Sequence, residues 1–115
     1  MATNTNAVPF LGYGRALPNV AVHTAIADAN YTVLATDTII GITSLTSTRT
    51  VTLPHASSVK AGKQLAIKDE SGSCSSGNTI TISGSIDGAS SVVLNTSYAV
   101  IRLYSNGTTW SRIGA

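Results

Sequence analysis

YAVIRLYSNGTTWSRI, residues 98–113, decides the fold. Its first half alternates, Asn106-Gly107 interrupts it, and strand-forming residues resume over 108–113. A period of two is that of a β-strand, whose successive side chains point to opposite faces. Asn-Gly suits a two-residue type I′ turn, in which both central residues take positive φ. The stretch is therefore expected to be a β-hairpin. Ala99, Ile101 and Leu103 would share one face of its first strand, and Tyr98, Val100, Arg102 and Tyr104 the other. A solvated sheet face would carry more Thr, Lys or Glu than this second face does. Those four residues are the candidate subunit interface, or else the seat of the chain's own N-terminal arm.

Upstream, short runs rich in Val, Ile, Thr and Tyr recur between Gly, Ser, Asn and Asp. Such spacing is the mark of an all-β sandwich or barrel. YTVLAT (31–36), TIIGITS (38–44), RTVTLP (49–54), QLAIKD (64–69), NTITIS (78–83) and SVVLN (91–95) each read as a strand. NTITIS alternates most cleanly, with Ile80 and Ile82 inward. Gly41 marks a bulge or a point of close packing. Pro54 ends its strand because it has no N–H to donate. HASSVKAGK reads as a loop with at most one helical turn, and Asp87-Gly88 as a further turn.

Ahead of these strands lies VPFLGYGRALPNV, residues 8–20. It shows neither helical nor strand periodicity, and two prolines and two glycines break it. Proline imposes extended geometry on the residue before it, and Gly12 and Gly14 permit tight bends around Tyr13. Its apolar side chains ask for burial, at about 1.5–3 kcal/mol each when fully covered. The segment is read as an extended arm over residues 1–29 that orders against a partner. Val8, Phe10, Leu11, Tyr13 and Leu17 are the candidate anchors, with Arg15 a candidate salt bridge.

Composition narrows the function classes. Only 10% of the 115 residues are charged, against about 25% in an average globular protein. A surface short of charge and rich in Thr and Ser suits a β protein that packs against its own copies. The seven basic residues are scattered at 15, 49, 60, 63, 68, 102 and 112, so no phosphate-binding stripe forms and no nucleic-acid partner is expected. No run approaches the length of a membrane span, and the N-terminus lacks the basic and apolar regions of a signal peptide. The single cysteine, Cys74, excludes an internal disulfide and reads as a small loop residue. The sequons at Asn30, Asn95 and Asn106 read as chance in a Thr/Ser-rich chain.

Catalytic and metal-binding material is sparse. His23 and His55 stand far apart, and no HExxH, CxxC or calcium loop occurs, so no metal and no cofactor are expected. Asp69 and Glu70 are adjacent and would point to opposite faces of an extended chain, which reads as a solvated turn. No serine lies in a nucleophile elbow. The chain is not expected to be an enzyme. Trp110 has two readings: a plug at the end of the core or an interface, or a stacking platform for sugar rings.

The order YTVLATDTII, RTVTLPHAS, GKQLAIKDESG, NTITISG, IDGASS and YAVIRLYSNGTTW resembles a β-sandwich module of tailed-bacteriophage virion proteins. The likeness runs from about Tyr31 to Ile113 and rests on scaffold features. They are the Leu53-Pro54 strand end, Ile67-Lys68-Asp69, the Ile86-Asp87-Gly88 turn, and Asn106-Gly107 with Trp110. It implies an all-β fold: a single antiparallel β-sandwich or jelly-roll-like domain over residues 30–115 behind the arm. Such modules occur in tail fibres, tailspikes, head fibres and decoration proteins, commonly as trimers. A short arm plus one sandwich is most similar to a capsid decoration (cement) protein. The expectation is a homotrimer on the outside of a virion whose arms dock on the major capsid protein. The alternatives are a tail-fibre or head-fibre component and a carbohydrate-binding adhesion module.

Overall fold

The computed structural model describes residues 21–114. Nine strands lie among them: β1 (His23–Ala27), β2 (Tyr31–Thr32), β3 (Ile39–Ser44), β4 (Arg49–Thr52), β5 (Gln64–Asp69), β6 (Ile80–Ile86), β7 (Ala89–Leu94), β8 (Val100–Ser105) and β9 (Trp110–Arg112). One 3-10 turn, Ala56–Ser58, follows Pro54 where a single helical turn was the most the sequence allowed. The fold is all-β.

The strands form one sheet in the order β1-β3-β5-β8-β9-β6-β4-β2, with β7 attached to β6. β1 and β2 stand at opposite ends of this order, yet only residues 28–30 separate them in the chain. A flat sheet would hold them about 34 Å apart at the usual inter-strand spacing. The four peptide steps from Ala27 to Tyr31 reach about 14 Å. The sheet must therefore roll until its ends meet, and the result is barrel-like.

Two parallel halves make this closure. β1–β3–β5 pair in parallel, and so do β2–β4–β6. The chain lays one strand in each half in turn, so every strand of one half serves as the crossover for the other. The β8–β9 hairpin spans from β5 to β6 on the far side. The expected antiparallel pairing is found at β5–β8, β6–β7 and β8–β9, whereas the other five pairings are parallel. Alternation dictates which side chains face inward and is blind to partner direction, so the sequence pattern serves both arrangements.

The inward sets fill the interior. Ile40 and Ile42 of β3, Val51 of β4, Ile67 of β5, Ile80, Ile82 and Ile86 of β6, and Ile101 and Leu103 of β8 are all buried. Trp110 closes the cluster, 2% exposed, and its Nε1–H donates to the Pro54 carbonyl at 2.9 Å.

Three local readings are corrected. The arm was expected to extend to residue 29, but β1 belongs to the sheet: Ile26 is buried and His23–Ile26 pair with Ile39–Ile42. The strand escaped notice because HTAIA carries one large apolar residue and is held by its backbone. The type I′ turn is not at Asn106-Gly107. Ser105 pairs with Trp110, so four residues make that turn, and of its residues only Gly107 takes positive φ. Asn106 Oδ1 instead accepts the N–H groups of Thr108 and Thr109, both at 2.9 Å. The two-residue turn lies at Asp87-Gly88, with φ of 49° and 83°, between Ile86 and its partner Ala89. Lastly, Asp69 is not solvated; it is buried, while Glu70 is exposed.

The aspartates act as knots. Asp28 accepts from the Thr46 N–H at 2.8 Å and the Arg49 guanidinium at 3.1 Å, and its Oδ2 accepts from the Thr46 hydroxyl. Asp37 accepts from Tyr31 OH, the Leu34 N–H and the Thr24 hydroxyl. Asp69 gathers the Ser71 hydroxyl and the N–H groups of Ser71, Cys74 and Tyr98. The Thr46 hydroxyl and N–H, with Arg49, bring the Asp28 carboxyl down from 3.8 to about 2. Burial pushes Asp37 and Asp69 upward, but their donors outweigh it and both end below the ordinary carboxylate value. A carboxylate with a depressed folded-state pKa contributes stability above its unfolded value, and that stability is lost as pH falls through the folded one. The domain is therefore expected to hold a constant unfolding temperature from neutrality to about pH 4, then to lose stability steeply towards pH 2; circular-dichroism melts across that range check it.

Candidate functional site

β8 lies between β5 and β9, with its odd residues inward: Ile101, Leu103 and Ser105 are buried. Val100, Arg102 and Tyr104 consequently point outward and are exposed, at 48% for Val100 and 38% for Tyr104. Register sets their neighbours on β5: Lys68 stands opposite Val100, Ala66 opposite Arg102, and Gln64 opposite Tyr104. The structure thus brings three of the four predicted interface residues into one row.

Tyr98 joins them from just outside the strand. Its backbone is left-handed, φ 60°, a conformation uncommon for a bulky residue. Two contacts hold it there. Its N–H donates to the buried Asp69 carboxylate at 3.0 Å, and its carbonyl accepts from the Lys68 ammonium. The ring is 57% exposed, yet it lies against Gly72, where a Cβ would stand 2.6 Å from the ring carbon Cζ. Lys68 Nζ stands 5.5 Å from the ring centre. An exposed aromatic is here fixed by the fold, which lowers the entropy lost when a partner covers it.

The face is positive. Lys68 and Arg102 both occupy it, and the ion pairs among the described residues lie elsewhere, at His23–Glu70 and Arg49–Asp28. The first of these crosses β3 at Gly41, where a Cβ would stand 2.1 Å from a Glu70 carboxylate oxygen. The close-packing reading of Gly41 is correct in that sense.

Beside the row lies a groove of about 200 Å³, lined by Ala21, Ile39, Gln64, Ala66, Arg102 and Ile113 among others. Sequence reasoning missed it. Its walls come from the starts of β3 and β5 and the ends of β8 and β9, so only sheet order assembles it.

The sugar-stacking reading of Trp110 needs an exposed indole face. Trp110 is buried and its N–H is taken by Pro54, so the core reading is the one observed. Cys74 is also buried and points its Sγ at the Leu94 carbonyl, 3.1 Å away. His55 Nδ1 lies 2.9 Å from Ser57 Oγ in an exposed loop, and neither bonds to a carboxylate among the described residues. No three His, Cys, Asp or Glu among the described residues cluster as a metal site would require. The arm anchors Val8, Phe10, Leu11, Tyr13, Arg15 and Leu17 lie outside the described residues. Compared with known proteins, the sequence matches no family model and no curated protein.

Proposed function

We propose that the chain is a virion structural protein: a homotrimeric decoration protein on a bacteriophage capsid, with residues 8–15 reaching onto the major capsid protein. The observation that carries this reading is the outward row of Val100 and Tyr104, with Tyr98 pinned beside it, around Arg102. Exposed aromatic and aliphatic residues flanking an arginine are the make-up of an interface core.

Charge favours a ring over a twofold pair. An isologous contact sets a patch against its own copy. Here that would oppose Lys68 and Arg102 with their own equivalents. A heterologous contact lets the positive row meet a different surface of the next subunit and closes as a trimer. Three arms on one trimer then multiply a weak single-arm affinity.

Two results test the reading. Val100→Asp with Tyr104→Asp is expected to convert the trimer to a monomer in light scattering and to shift its unfolding temperature only modestly, since both side chains are exposed. A trimer that survives both changes would place the interface elsewhere. Deletion of residues 1–20, which spares β1, is expected to leave a folded domain that no longer co-sediments with capsid shells. Full shell occupancy by the truncated protein would remove the docking role. The head-fibre or tail-fibre alternative is separated by copy number per virion: hundreds for decoration, a handful at a unique vertex for a fibre.

A further inference from the structure

The groove beside the interface row lies where the chain enters the described domain. Ala21 forms part of its wall, and the Val22 carbonyl accepts the Ile39 N–H, which fixes the direction of entry next to β3. From there the groove runs across β5 and β8 to Ile113 at the end of β9. Those three inter-strand steps span about 14 Å. Four extended residues span about 13 Å.

The four residues before Ala21 are Leu17, Pro18, Asn19 and Val20. Two are aliphatic, and Pro18 biases Leu17 towards extended geometry. A volume of about 200 Å³ suits one or two aliphatic side chains, since an engineered cavity of about 150 Å³ accommodates benzene. The rim matches an extended backbone as well. Gln64 and Arg102 stand on it, and their side chains hydrogen-bond to no other described residue, so both can serve peptide groups crossing between them.

We propose that residues 17–20 lie in this groove on their own subunit, with Val20 over Ile39 and Leu17 against Ile113. The segment then acts as a clamp at the root of the arm. It reassigns Leu17 from the shell to its own domain and leaves residues 8–15 as the reaching part. The clamp also covers the lower edge of the interface row at Arg102. It does not depend on the decoration reading, because it concerns the isolated protein.

The test is a disulfide in the full-length chain carrying Leu17→Cys and Ile113→Cys, with Leu17→Cys and Val93→Cys as the control. Val93 is 50% exposed on β7, which is attached to β6 and not to the groove strands. Cys74 is buried and stays in place. Under mild oxidation the first pair is expected to form an intramolecular disulfide at least about tenfold faster than the control, as a seated segment is at higher effective concentration than a loose tether. A second measurement guards against damage at residue 113. Leu17→Asp is expected to lower the unfolding temperature by about 5 °C, while Phe10→Asp leaves it unchanged. An intermolecular disulfide would assign the groove to a second copy and overturn the clamp. Equal rates for the two pairs, or equal temperature shifts for the two aspartate variants, would overturn it too.

Discussion

Asp69→Asn is expected to destabilise the domain by about 3 kcal/mol or more, enough to lower its unfolding temperature by roughly 10–20 °C. Asp69 is fully buried, and both of its carboxylate oxygens are in use. Oδ1 accepts the Ser71 N–H at 3.1 Å and the Ser71 hydroxyl at 2.6 Å. Oδ2 accepts the N–H groups of Cys74 and Tyr98, each at 3.0 Å. Asparagine would replace one oxygen with an NH₂ group that donates towards donors. At least one pair of bonds is lost, and each buried donor left unsatisfied costs about 1–3 kcal/mol. Asp87→Asn is the control: Asp87 is exposed at a turn with φ 49°, which asparagine tolerates, so its effect should stay within about 0.5 kcal/mol. Denaturant titration of the three proteins checks the ranking. The sign with pH follows from the depressed carboxyl. The gap between wild type and Asp69→Asn is expected to be widest at neutral pH and to shrink below about pH 4 as Asp69 itself takes up a proton. Because the same carboxylate holds the Tyr98 backbone, the variant should also associate more weakly.

Trp110→Ala is expected to cost about 3–5 kcal/mol, the range for removing a buried aromatic from a packed core. Trp110→Phe separates the two contributions. It keeps most of the apolar volume but leaves the Pro54 carbonyl without its donor, for an expected loss of about 1–2 kcal/mol. The pair also tests the sugar reading directly. Wild-type tryptophan emission should be blue-shifted, as for a buried indole, and unaltered by added polysaccharide. A red-shifted band that moves with glycan would contradict the burial of Trp110.

Period-two alternation made the strands legible, and it placed Ile80 and Ile82, Ile101 and Leu103, and the opposite row of Val100, Arg102 and Tyr104 on their correct faces. Backbone-held elements were not legible. β1 offers one buried side chain, Ile26, and is fixed by parallel pairing to β3, a partner no local pattern names. Asn106-Gly107 and Asp87-Gly88 are both good turn dipeptides; which becomes the two-residue hairpin is set by where Ile86 and Ala89 can pair. Asp69 read as solvated because its ligands, Cys74 and Tyr98, are brought to it by tertiary structure. The groove walls, drawn from four strands, belong to the same class.

The alternating layout of the two halves has a kinetic corollary. Ile39 cannot pair until Ala66 has been made and has returned, and Arg49 waits for Ile80 in the same way. Loop-closure entropy is spent before such contacts reward it, so high contact order slows folding. Only β6–β7 and β8–β9 are local ribbons able to form within microseconds. Until the barrel seals, the nascent chain displays sticky, nearly uncharged edges, and its refolding yield should fall as concentration rises.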